Sequence, residues 1–254
     1  MLELNKTYNM DCLEGLKEIE DNSVDLVVTS PPYGNLRKYN GFSWDFEGVA
    51  KELYRVTKDG GVVVWVVGDA TVKGSETGTS FRQALYFKGI GFNLYDTMIY
   101  EKTNPIPGNA KRYTQSFEYM FVLSKGLCNT FNPVMEPCKY AGCGTSPKIY
   151  DINGNLSGNG RRIIKDNKVH SNIFRYTVGN VGNGQIKHPA VFPLQLATDH
   201  IVSWSNPNDI ILDPFMGSGT TAVACINTHR NFIGFELSKE YCDIASDRCK
   251  QVIL

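Results

Sequence analysis

Apolar residues along the chain fall into short blocks whose period changes from block to block. Val24 to Thr29 and Val62 to Val67 are near-continuous apolar runs and read as strands buried on both faces. Phe46, Val49, Ala50, Leu53 and Tyr54 recur instead at helical spacing, and an Asp59-Gly60-Gly61 stop separates that helix from the second run. The pattern predicts a helix from Phe81 to Lys88, then strands from Phe92 to Tyr100 and Phe117 to Leu123 whose mixed polarity suits an exposed sheet edge. A helix from Pro193 to Trp204 follows, with proline where its missing N–H costs least. A strand from Asp209 to Leu212, a helix, a strand from Phe232 to Phe235 and a terminal helix complete the order. Such alternation predicts an α/β fold, a mainly parallel sheet covered on both faces, with no internal repeat.

Between Lys125 and Lys187 the periodicity fails, and Gly, Asn, Pro and Ser crowd stretches such as GCGTSP, NGNLSGNG and VGNVGNG. A long irregular segment inside a compact domain is usually functional or mobile. This one carries Arg161, Arg162, Lys165, Lys168, Arg175 and Lys187, which fit either a binding surface or a solvated loop. The 254 residues suit one large α/β domain or a domain with an insertion. Because 26 basic and 26 acidic residues cancel, the distribution of charge, not its sum, must locate any nucleic-acid surface. Seven cysteines lack paired spacing, and Cys138 and Cys143 have no second Cys/His pair in zinc register, so reduced thiols and no metal are expected. No apolar stretch approaches spanning length and the first residues form no basic leader; a cytoplasmic protein is expected.

Two corners carry the candidate chemistry. Ser30-Pro31-Pro32-Tyr33 follows the first buried strand, and its prolines cannot join a sheet ladder, so the backbone leaves the sheet in a defined direction. The corner is either a proline-rich turn or a site at a strand's carboxyl end, where open α/β sheets bind ligands. The second corner, Asp213-Pro214-Phe215-Met216-Gly217-Ser218-Gly219-Thr220, leads from strand to helix. Gly217 and Gly219 permit positive φ, a helix beginning near Ser218 presents unpaired N–H groups, and Glu236 ends the next strand, where it can accept from both ribose hydroxyls. The spacing GSGTTA also satisfies a dinucleotide pattern, which leaves an NAD-dependent oxidoreductase and a plain structural turn open. Asp213 ahead of the turn opposes a pyrophosphate and suits a cationic ligand, so the charge pattern prefers S-adenosylmethionine.

With both corners in view, the sequence resembles the bacterial and phage DNA amino-methyltransferases. Their catalytic tetrapeptide is (D/N/S)-P-P-(Y/F) and their cofactor turn F-x-G-x-G; the tetrapeptide-first order resembles the β class. Further matches are Asn9 to Leu16, His188-Pro189-Ala190-Val191-Phe192-Pro193, and Gly234-Phe235-Glu236 with Tyr241. Release-factor glutamine and RNA guanine methyltransferases share the P-P-Y turn, but there Asn usually opens the tetrapeptide and the glycine turn comes first. The resemblance implies a Rossmann-like methyltransferase sheet in circularly permuted order. It divides the chain into a catalytic half (1–125), an inserted target-recognition region (126–187) and a cofactor-binding half (188–254).

By the same resemblance the cofactor is S-adenosyl-L-methionine. It would be held by Asp11, Cys12, Thr29, His188, Pro189, Phe192, Asp213, Pro214, Phe215, Gly217, Ser218, Gly219, Thr220 and Glu236. Asp11 would take the adenine amino group, with a helix N-cap as its other reading. Ser30, Pro31, Pro32 and Tyr33 would be catalytic: the Ser30 hydroxyl and Pro31 carbonyl accept from the target amino group, and Tyr33 stacks on a base flipped out of double-stranded DNA. Residues 34–43 would close over that base. Lys111, Arg112, Arg161, Arg162 and Lys165, with Lys102, are the candidate phosphate contacts. Serine in place of aspartate favours cytosine N4 over adenine N6. A cognate restriction endonuclease is the protein partner the resemblance allows, with the enzyme a monomer or homodimer.

Overall fold

The computed structural model describes residues 2–32, 44–108, 111–145, 148–159, 162–178 and 193–253. Eight segments pair into one sheet: β1 (Lys6–Asn9), β2 (Val24–Thr29), β3 (Thr57–Val67), β4 (Asn93–Lys102), β5 (Phe117–Ser124), β6 (Ile173–Tyr176), β7 (Ile210–Asp213) and β8 (Asn231–Glu236). Their spatial order is β1-β8-β7-β2-β3-β5-β4-β6. The ladders from β1 through β3 are parallel, β5 runs antiparallel to both β3 and β4, and β6 pairs parallel with β4. The chain therefore enters at one edge, and the strands of its last quarter, β7 and β8, lie between β1 and β2.

Alternation along the strands assigns side chains to the two faces. Val62, Val64 and Val66 pack towards α4 (Leu194–Trp204), α5 (Thr220–Asn227) and α6 (Lys239–Ile253). Val63, Trp65 and Val67 pack towards α1 (Cys12–Lys17), α2 (Phe46–Val56) and α3 (Thr79–Gly89). The middle of the sheet is thus apolar on both faces, which is why β2 and β3 read as continuous hydrophobic runs.

Two local expectations change. Asp59-Gly60-Gly61 is not a stop: α2 ends at Val56, β3 begins at Thr57, and the glycines lie inside the strand. There the register moves from Val24↔Thr57 to Leu26↔Val62, and Gly60 takes φ 83°, so the pair absorbs a bulge. β4 and β5 are not the sheet edge either. Among the described residues the edge beyond them is β6, with β1 at the opposite edge; β6 is drawn from the stretch where periodicity fails, and its four residues are too short to display a period.

Residues Pro133–Ser171 form a compact unit separate from the one made by Met1–Asn132 and Asn172–Leu254. The smaller unit is a nested antiparallel ribbon: Met135–Pro137 pairs with Asn167–Val169, Gly144–Thr145 with Arg162–Ile163, and Lys148–Tyr150 with Leu156–Asn159. Within the irregular interval expected at 126–187, residues 133–171 are therefore a short-runged ribbon, 126–132 and 172–178 belong to the sheet unit, and 179–187 lie outside the described residues. No described residue of the ribbon joins the buried core, and Met135, Tyr140, Tyr150, Ile152 and Ile163 are exposed. Among the described residues no helix is long and apolar enough to cross a membrane.

Candidate cofactor and catalytic site

Four neighbouring parallel strands finish on one side of the sheet, and each delivers one part of the candidate site. β1 runs into Asp11, β8 ends at Glu236, β7 at Asp213 and the glycine turn, and β2 at Thr29, followed by Ser30, Pro31 and Pro32. The registers Asn9↔Glu236, Asp213↔Gly234 and Leu212↔Val27 keep these ends level. That is the place where open α/β sheets form ligand crevices.

The glycine turn is held from both sides. Met216 N–H donates to the Phe235 carbonyl (2.9 Å) and Gly219 N–H to the Met216 carbonyl (3.0 Å). Gly217 N–H donates to Glu236 Oε2 (2.8 Å), while Glu236 Oε1 accepts from Ser238 N–H (2.7 Å). Burial pushes the Glu236 carboxyl above its ordinary value, and these backbone donors act the other way. Gly217 and Gly219 adopt φ 54° and 83°, and a Cβ on Gly219 would stand 2.8 Å from the Ala245 side chain, so glycine is required there by both backbone and packing. α5 begins at Thr220, two residues later than the helix start read from the sequence, with Gly219 as its N-cap and no side chain capping it.

Several residues expected on the cofactor point inward. Asp213 is 1% exposed; its carboxylate accepts from the Thr29 hydroxyl (2.7 Å), the Thr221 hydroxyl (2.6 Å) and Phe215 N–H (3.0 Å). Asp213 and Thr29 thus bond each other, tying the end of β7 to the end of β2. Ser218 and Thr220 are buried and met from behind by Arg248, whose Nη1 donates to the Ser218 carbonyl (2.5 Å) and lies 3.2 Å from the Ser218 hydroxyl and 3.4 Å from that of Thr220. Cys12 fills the core beneath α1; burial, then the neighbouring Asp11, push its thiol up to about 12, so it stays protonated. Pro214 is buried, and Phe215 packs edge-on to Trp44 at 5.0 Å between centroids.

Asp11 caps α1: its Oδ1 accepts from Leu13 N–H (2.9 Å) and Glu14 N–H (3.4 Å), the helix-cap alternative raised above. Ser30 and Pro32 are half-buried and Pro31 buried at the end of β2. Tyr33, His188, Pro189, Phe192, Arg161, Lys187 and the 34–43 segment lie outside the described residues.

The expected phosphate contacts divide. Lys102 forms a largely buried pair with Glu118 (2.8 Å) and serves the fold. Arg112 bonds the Gly74 carbonyl and faces Glu76, clamping its segment to the hairpin made by Thr71–Val72 and Ser75–Glu76. Arg175 pairs with Glu101 (2.7 Å) and Lys168 with Glu136 (2.9 Å). Lys111, Arg162 and Lys165 are exposed.

Arg248 and Thr221 are the residues that sequence reasoning misses. Arg248 sits on a helical face with no motif of its own, and Thr221 differs from Thr220 by nothing but which way it faces.

Of the carboxylates at these strand ends, Asp213 is spent within the fold, which leaves Asp11 and Glu236, while Arg248 bonds Ser218 of the glycine turn. A pyrophosphate fits such a set poorly; a ligand with a ribose, an ammonium and a sulfonium fits it well. The fold is that of the methyltransferase class of α/β proteins.

Residues 24–247 match the model of a DNA methylase family that groups N6 and N4 amino-methyltransferases. The chain is 51% identical to the orphan methyltransferase M.BamHII of Bacillus amyloliquefaciens, over 94% of this chain and 93% of that one. A solved complex of M1.HpyAVI with S-adenosylmethionine is 27% identical, covers 96% of this chain and 98% of its own, and superimposes with a TM-score of 0.63. The cytosine-N4-specific PvuII DNA methyltransferase, 22% identical with a TM-score of 0.71 over 97% of this chain and 89% of its own, shares the fold. The chain belongs to this family of DNA amino-methyltransferases, and its cofactor is S-adenosyl-L-methionine.

Proposed function

We propose that the strand-end site transfers a methyl group to the exocyclic amino nitrogen of a base flipped out of double-stranded DNA, and that the base is cytosine, methylated at N4. The observation that carries this reading is the Thr29–Asp213 hydrogen bond: the tetrapeptide and the glycine turn leave adjacent parallel strands at a shared joint. When bound, S-adenosylmethionine supplies an electrophilic methyl on a sulfonium centre. Glu236, aimed by Gly217 and Ser238, accepts from the ribose hydroxyls, and Asp11 takes the adenine amino group while it caps α1.

An exocyclic amino nitrogen is a weak nucleophile because its lone pair is delocalised into the ring. As it attacks, it pyramidalises and gains positive charge, and its hydrogens turn towards acceptors. The Ser30 hydroxyl and Pro31 carbonyl are such acceptors on a corner that two prolines hold rigid, and fixed dipoles of this kind are worth several kcal/mol in comparable sites. The new N–C bond replaces the methyl's bond to sulfur, whose electron pair stays on the sulfur of S-adenosylhomocysteine, and the methylated nitrogen then loses a proton to water, directly or past the Ser30 hydroxyl. Tyr33 stacks on the extruded base, and serine opening the tetrapeptide supports N4.

The ribbon at 133–171, which lies within the expected target-recognition region 126–187, is the proposed DNA reader. It holds six basic residues against three acidic in a chain of zero net charge, and it exposes Tyr140 and Tyr150. Incubation with genomic DNA and labelled cofactor, followed by digestion to nucleosides, tests the function. N4-methylcytosine is expected; N6-methyladenine would overturn the target base alone, and an unlabelled digest would overturn the activity.

A further inference from the structure

We propose that Asp213 is a positioning residue for methyl transfer: through Thr29 and Thr221 it locks the cofactor turn to the catalytic corner. The inference rests on the strand-end site proposed above and assigns these residues a task other than touching the cofactor.

One oxygen of the Asp213 carboxylate accepts from the Thr29 hydroxyl and Phe215 N–H, and the other accepts from the Thr221 hydroxyl. Thr29 immediately precedes Ser30, Asp213 opens the turn that contains Gly217 and Gly219, and Thr221 lies in the first turn of α5. The Thr221 hydroxyl also lies 3.4 Å from the Val28 carbonyl, so the end of β2 is held at two successive residues. Short bonds to an ionised acceptor are about twice as strong as neutral ones and fix direction as well as distance.

A purely structural role is a poor account of a buried carboxylate, because an apolar side chain of similar size would join the strands without the cost of burying charge. That cost is visible here: burial raises the Asp213 carboxyl to about 6 despite its three donors. The ionisable groups facing it are Glu236 from β8 and Cys225 from α5; β2 presents the Thr29 hydroxyl. A displacement of Ser30 by an ångström costs on the order of 10²-fold in rate. Holding this joint therefore matters more to the chemical step than to binding.

The test compares Thr29→Val, which keeps the shape and removes the donor, with Thr29→Ser, which restores it. Single-turnover methylation, S-adenosylhomocysteine affinity and the pH profile of the rate are measured for each. Thr29→Val is expected to lower the rate about 10²-fold and change cofactor affinity less than threefold. Its acid limb should move to higher pH, because the carboxylate has lost a donor that favours its charged form. Thr29→Ser is expected to restore rate and acid limb.

A Thr29→Val enzyme of lowered melting temperature, unchanged rate and unchanged acid limb would overturn the proposal. So would a loss confined to cofactor affinity, which would make Thr29 a direct contact. Should Thr29→Val fail to fold, Thr221→Val is expected to move the acid limb in the same direction, and an unmoved limb there overturns the proposal equally. An inactive wild type would instead sink the parent reading.

Discussion

The strand ends of the sheet and the 133–171 ribbon treat polar groups in opposite ways. At the strand ends, carboxylates and hydroxyls are withdrawn from water and bonded to one another: Asp213 to Thr29 and Thr221, Glu236 to two backbone N–H groups, Ser218 to Arg248. In the ribbon, large apolar side chains such as Tyr150, Ile152 and Ile163 face solvent, and its turns rest on local bonds such as those from Asn153 and Asn155 N–H to Asp151 Oδ1 (2.9 and 2.8 Å). The first arrangement is preorganised by the core beneath it, as a catalytic site requires. Among the described residues the second buries no side chain in a core, so its order rests on local turns, in keeping with the DNA-reading role proposed for it.

Truncation should separate the two regions most sharply. Leu26→Ala, in β2 and fully buried, is expected to destabilise the protein by about 2–5 kcal/mol. Ile163→Ala in the ribbon, 75% exposed, should stay within about 0.5 kcal/mol. Chemical denaturation measures both, and comparable losses would erase the contrast. Acidity probes the strand ends alone. The native Asp213 carboxyl titrates at about 6, above its ordinary value of 3.8, so its contribution to stability is full below pH ~3.8 and lost as pH rises to ~6. Relative to Asp213→Asn, the wild type should therefore lose on the order of 3 kcal/mol across that window and change little above it; a flat difference curve would place the carboxylate in water.

Gly219→Ala forces a side chain onto φ 83° against Ala245, and about 1–3 kcal/mol should be lost in a thermal melt, with weakened cofactor binding. The mildest change is Arg162→Ala with Lys165→Ala in the ribbon. DNA affinity should fall, the slope of log affinity against log salt should shrink by about one for each phosphate no longer neutralised, and cofactor affinity should not move. An unaltered salt slope would remove the ribbon from the DNA surface.

How much of the molecule is legible in its sequence follows from the same contrast. β2, β3 and α2 announce themselves because each buries enough side chains to show a period, and both corners are marked by residues whose backbone chemistry is unusual: Pro31, Pro32, Gly217 and Gly219. Spacing identifies which strand end a residue occupies but not which way its side chain turns, so Asp213, Ser218 and Thr220 read as facing a ligand and instead face the core. Arg248 reaches the glycine turn from a helix 30 residues further on, a contact no local pattern signals. The ribbon reads as irregular because rungs of two to four residues, broken by Gly, Asn and Pro, carry no period. Gly60 reads as a stop because a bulge and a turn use the same residue for the same reason.

The central claim, that the proline corner of β2 and the glycine turn after β7 form one methyl-transfer site, is tested most directly by Ser30→Ala under single-turnover conditions with saturating labelled cofactor and DNA. The account predicts a methylation rate lower by about 10²–10³-fold with S-adenosylhomocysteine affinity unchanged. A variant that methylates DNA at the wild-type rate would contradict it.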